Sequence, residues 1–98
     1  MELCVLESNS ISNQYLANNM GITIINNTSE DINVSVTATG SDFGKGGSED
    51  WFVLRANGGK DTWGSRNQKQ VIRFTRSLTP GVLVETILGV PNNTVNIY

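Results

Sequence analysis

The run Ile32-Asn33-Val34-Ser35-Val36-Thr37-Ala38 alternates apolar and polar residues without a break. Successive side chains of an extended strand point to opposite faces, so the run offers Ile32, Val34, Val36 and Ala38 to one side. Asn33, Ser35, Thr37 and Thr39 go to the other. A helix would scatter the same four apolar residues around its circumference. Residues 31–39 are therefore expected to form a half-buried strand.

The rest of the chain is built the same way. Gly21–Asn26 holds the β-branched run Ile22-Thr23-Ile24-Ile25, and Gln70–Thr75 sets Ile72 and Phe74 opposite Val71 and Arg73. Val82–Val90 reads as a long apolar strand and Thr94–Tyr98 as a last one. Glu2–Leu6 predicts a first strand, and residues 8–20 allow at most one or two helical turns around Tyr15 and Leu16. Turn residues crowd Asn26–Asp31, Leu78–Gly81 and Pro91–Asn93. Gly40–Asp50 is a glycine-rich loop whose one large apolar residue is Phe43. Seven or eight short strands in 98 residues predict an all-β fold, a compact antiparallel β-sandwich. One domain is expected over 1–98, with an N-terminal segment 1–20 and a sandwich body 21–98.

The chain has no histidine, which removes His-based triads, general bases and metal sites together. The single cysteine, Cys4, excludes an internal disulfide and reads as a small apolar residue. A net charge of −2 gives no electrostatic case for nucleic acid. No cofactor or metal is expected. Glu49 and Asp50 are adjacent and lack the spacing of a calcium loop. Gly44–Ser48 has the composition of a phosphate loop without its Lys-[Ser/Thr] order. The N-terminal residues carry two acids and no signal-like apolar run, and no segment reaches the ~20 apolar residues of a membrane span. A cytoplasmic protein, or one released without a classical signal, is the expectation. Sequons at Asn26, Asn27, Asn33 and Asn92 read as by-products of Asn- and Thr-rich turns.

Asn57-Gly58, between Trp51–Leu54 and Lys60–Gly64, is a strong hairpin signal. A two-residue loop would set Arg55 against Lys60. A three-residue loop, Asn57–Gly59, sets Arg55 against Asp61 and puts Trp51, Val53 and Trp63 on one face. The second register is favoured by its charges. If Phe52 and Leu54 face the core, it leaves an outward pair of tryptophans, of the kind that stacks on sugars or sits at membrane interfaces; the alternative is that one or both indoles are simply core. The basic residues add a strip: Lys69 and Arg73 share an outward face, flanked by Arg66 and Arg76. Such a strip suits phosphate or carboxylate groups, or simply keeps an exposed strand from pairing.

Several of these segments resemble small β-sandwich proteins of fruiting basidiomycete fungi. The matching features are the Asn26-Asn27-Thr28-Ser29 turn after a β-branched strand, Asp50-Trp51-Phe52-x-Leu54, Gly59-x-Asp61-Thr62-Trp63-x-x-Arg66 and Pro91-Asn92-Asn93-Thr94-Val95. They span 21–98. Those proteins are similar in size and style to mushroom lectins and membrane-binding toxins. The resemblance implies an intracellular sandwich with a role in defence or recognition. Its motifs fall on Asp50, Trp51, Asp61, Trp63 and Arg66.

The first functional expectation is thus a non-catalytic module that binds a glycan or a lipid head group, with peripheral membrane contact as one form. Its residues are Trp51, Trp63, Asp50, Asp61, Arg66, Lys69 and Arg73. The second is a structural protein that self-associates, as a homodimer for instance, through a sheet edge or through Val82–Val90. The third is an enzyme working with carboxylates and Arg alone.

Overall fold

A computed structural model describes residues 21–98. The strand expected at residues 2–6 and the ambiguous segment 8–20 lie outside the described residues. Seven strands form: β1 (Ile22–Asn26), β2 (Ile32–Val36), β3 (Phe52–Leu54), β4 (Gly59–Trp63), β5 (Gln70–Thr75), β6 (Val84–Gly89) and β7 (Thr94–Ile97). One helical turn, α1 (Ser41–Gly44), interrupts the glycine-rich loop. The strands make two sheets, ordered β4-β1-β7 and β3-β2-β5-β6. All pairs are antiparallel except β1 with β7. The all-β sandwich is as the alternation requires. No helix among the described residues is long and apolar enough to cross a membrane.

The core is drawn from alternate positions of both sheets. Ile22, Ile24, Trp63 and Ile97 come from one, and Ile32, Val34, Val36, Leu54, Ile72 and Phe74 from the other. Every one is buried. Side chains of period two meet between the layers in this way whenever two sheets pack face to face.

The expected Asn57-Gly58 hairpin does not form. β3 pairs with β2, setting Val53 against Asn33, while β4 pairs with β1, setting Asp61 against Ile24. Residues 55–58 are therefore a corner that carries the chain from one sheet to the other. Residues 27–31 carry it back the other way. The two corners are bonded to each other. The Asn57 N–H donates to the Thr28 carbonyl (2.9 Å) and the Gly58 N–H to that of Asn26 (2.7 Å). Arg55 pairs with Asp31 (2.9 Å), not with Asp61.

At their centre lies Asn26, fully buried at the end of β1. Its Nδ2 faces the carbonyls of Glu30 (2.8 Å), Leu54 (3.0 Å) and Arg55 (3.1 Å). Its Oδ1 accepts from the Thr28 N–H (3.0 Å) and lies 2.7 Å from the Thr28 hydroxyl. The side chain thus closes its own turn two residues on and also satisfies carbonyls of the opposite sheet's corner. Asn57 adopts a positive φ of 61°, which Asn tolerates better than other side chains. A Cβ on Gly59 would stand 2.3 Å from the Arg55 carbonyl oxygen, so the corner closes only around glycine. Asn-Gly here shapes a sheet-to-sheet corner, and the carbonyls of Leu54 and Arg55 that lead into it are held by Asn26.

Asn26→Ala would strand buried carbonyls and is expected to lower stability by about 3 kcal/mol, read as a fall in the urea midpoint at unchanged slope. Asn57→Ala should cost about 1 kcal/mol through its backbone alone. The Ala56 N–H first, and then Arg55, hold the Asp31 carboxyl below the usual carboxylate range. The ionised form therefore contributes stability above that range and loses it as pH falls through the lowered value. Acid titration of stability should show this loss below about pH 4, and Asp31→Asn should flatten it.

Candidate functional site

The outward side of the four-stranded sheet carries the most distinctive surface. Trp51 lies just before β3 on the side of Val53, and 44% of it is exposed. The Arg73 guanidinium sits over its ring, 5.4 Å from the centroid. Arg73 is itself anchored: Nη2 donates to the Ser35 hydroxyl opposite it on β2 and reaches the Glu49 carbonyl (3.4 Å). Its Nε is buried with no hydrogen-bond partner among the described residues. The indole is thus held against a fixed cation while part of it faces solvent.

Beside Trp51 is a shallow depression of about 310 Å³. Asn33 and Thr75 form part of its floor, and the β5–β6 connection from Leu78 to Val82 walls it. No ionisable side chain lines it. A flat aromatic with an amide, hydroxyls and a proline-bearing wall offers stacking and a few hydrogen bonds. Its volume is at the lower end for small-molecule sites.

A second groove, about 380 Å³, opens between β3 and β4 where the sandwich is uncovered. Phe52, Asp61, Trp63, Arg66 and the 45–48 loop line it. Phe52 shares the strand parity of buried Leu54 but is 43% exposed, and its ring meets Trp63 edge-on at 6.2 Å. Trp63 is only 8% exposed and belongs to the core. The outer face expected for Trp51 and Trp63 together is corrected by this geometry. It required β3 and β4 to pair, and they lie in different sheets.

The basic strip is also divided. Arg66 is 1% exposed. Its Nε donates to the Thr37 carbonyl (2.9 Å), Nη2 to those of Val36 (2.7 Å) and Ser48, and Nη1 to the Ser65 hydroxyl (2.7 Å). The chain after β4 is thereby stapled to both ends of the 37–48 loop, and a Cβ on Gly47 would stand 2.8 Å from Nη1. Burial pushes the guanidinium down from its ordinary value, and the carboxylates of Asp42 and Glu49 oppose that. Asp42, buried nearby, accepts from the Thr39 N–H (3.0 Å) through Oδ2, while its Oδ1 has no partner among the described residues. Arg76 pairs with Glu85 (2.8 Å), donates to the Tyr98 carbonyl (2.6 Å) and covers Phe74. Lys69, Asp50 and Asp61 are exposed.

The structure therefore brings Trp51 and Arg73 together on one surface, and Asp61, Trp63 and Arg66 on another. Asn33, Thr75 and the Leu78–Val82 wall escape a reading by motif. Strand parity, shared with Ser35 and Arg73, places Asn33 and Thr75 outward, while the 78–82 wall lies between strands and has no such signal. The chain matches no protein family, no curated protein and no solved structure.

The two indoles report these environments separately. With Trp63→Phe, the remaining Trp51 emission should be red-shifted and readily quenched by iodide. With Trp51→Phe, the Trp63 emission should be blue-shifted and protected. Trp63→Ala should cost about 3–5 kcal/mol and Trp51→Ala under about 1.

Proposed function

We propose that this protein is a non-catalytic recognition protein, of the defence type, that takes a neutral carbohydrate on the Trp51 shelf. The observation that carries the reading is the half-exposed indole fixed by Arg73 beside a depression without ionisable lining. A pyranose ring lays its C–H face on an aromatic plane and directs hydroxyls to amide and hydroxyl groups at the rim. Trp51 supplies the plane, and Asn33 in the floor and Thr79 in the wall the polar partners. The engagement of Arg66, Arg73 and Arg76 in internal bonds favours a neutral ligand over an anionic lipid head. The accompanying location is the cytoplasm, or release without a classical signal.

The test is a titration of Trp emission in the full chain against neutral mono- and disaccharides and against anionic and zwitterionic vesicles, at low and high salt. A saturable sugar response that ignores salt and is lost in Trp51→Ala is expected. No response to any sugar would overturn the reading. Binding confined to anionic vesicles and weakened by salt would overturn it in favour of lipid heads. Sugar binding kept by Trp51→Ala and lost in Asp61→Asn would move the site to the β3–β4 groove.

A further inference from the structure

Among the described residues each sheet has two edges, and three of the four are guarded. β3 is only three residues long. β4 carries Lys60 and, on the side of the core, the charged Asp61. β7 is four residues, with Asn96 tied to Asn27. Short length and inward-pointing charge are the usual devices against edge pairing. β6 has neither. It runs for six residues and ends the order β3-β2-β5-β6, with no strand on its far side among the described residues. Its one charge, Glu85, is already paired with Arg76. Leu88 is 56% exposed and Leu83, just before the strand, 74%. Val84 and Ile87 are exposed as well.

We infer that β6 pairs with β6 of a second copy, antiparallel, around a two-fold axis through Thr86 perpendicular to the sheet. Such an axis joins residues of equal parity, so it keeps each copy's outer face on the same side. It sets Val84 against Leu88 twice on the outer face, and Thr86 against Thr86 at the axis. On the inner face Glu85 meets Ile87, not a second Glu85. No like charges come opposite, and the apolar row of Val71 and Leu88 continues into Val84 and Thr75 of the second copy. This self-match, on the longest edge strand among the described residues, is what points to a second copy as the occupant. The two four-stranded sheets become one continuous eight-stranded sheet, whose open β-strand hydrogen-bonding groups are satisfied.

Light scattering on the full chain from micromolar to millimolar concentration tests the pairing without any ligand, so its failure leaves the Trp51 reading untouched. The mass should rise from monomer to dimer with concentration. Thr86→Lys should stay monomeric throughout with unchanged circular dichroism, because two ammonium groups would meet at the axis. Thr86→Glu should also stay monomeric, and an equimolar mixture of the two should regain the dimer mass. A wild-type monomer at every concentration, as would follow if residues 1–20 held the edge, overturns the inference. So does a dimer that persists in Thr86→Lys, or variants that stay apart when mixed.

Discussion

The buried amide of Asn26 ties the two crossings between the sheets to each other. Its Nδ2 faces carbonyls of both corners, and its Oδ1 closes the turn that leads into β2. Buried backbone groups at a corner have no ladder partner, and a sandwich this small has few ways to supply one. With Asn26 in place, residues 27–31 and 55–58 can change sheets side by side. The core positions of β1 to β4 then fall between the layers. β1 and β4 then share one sheet and β2 and β3 the other, which separates the two tryptophans.

Much of the architecture was legible in the residues. The alternation at 32–38 placed Ile32, Val34, Val36 and Ala38 inside, and all four are buried. The same parity set Ile72 and Phe74 inward and Val71 outward in β5. Partner choice was not legible. Asn57-Gly58 carries the local signal of a hairpin, and Arg55 and Asp61 had suitable charges to face each other. Local turn chemistry could not register that Asn26, 28 and 29 residues earlier, holds the carbonyls of Leu54 and Arg55 while Asp31 takes Arg55. Two corners bonded across sheets leave no trace in the spacing of either one. Arg66 was misleading for a related reason. A basic residue among others reads as surface, whereas here three backbone carbonyls compensate its burial.

The candidate site inherits these constraints. Because β3 and β4 part, Trp63 completes the core and Trp51 is left on the outer face, where Ser35 and Arg73 hold it. Were two copies joined at β6, the same axis would put both Trp51 shelves on one side of a single sheet. Two weak sites facing one surface bind by avidity, with an effective concentration set by the rigid sheet between them. A shallow shelf of about 310 Å³ would gain most from that arrangement.

The strands flanking Asn57-Gly58 belong to different sheets, and the rest of the fold depends on that. Cross-strand nuclear Overhauser effects in the full chain measure this directly. Backbone contacts from Asp61 to Ile24 and from Val53 to Asn33 are expected. Contacts joining Arg55 to Asp61 and Val53 to Trp63 would show a hairpin instead. They would contradict both the fold described here and the separation of the two tryptophans.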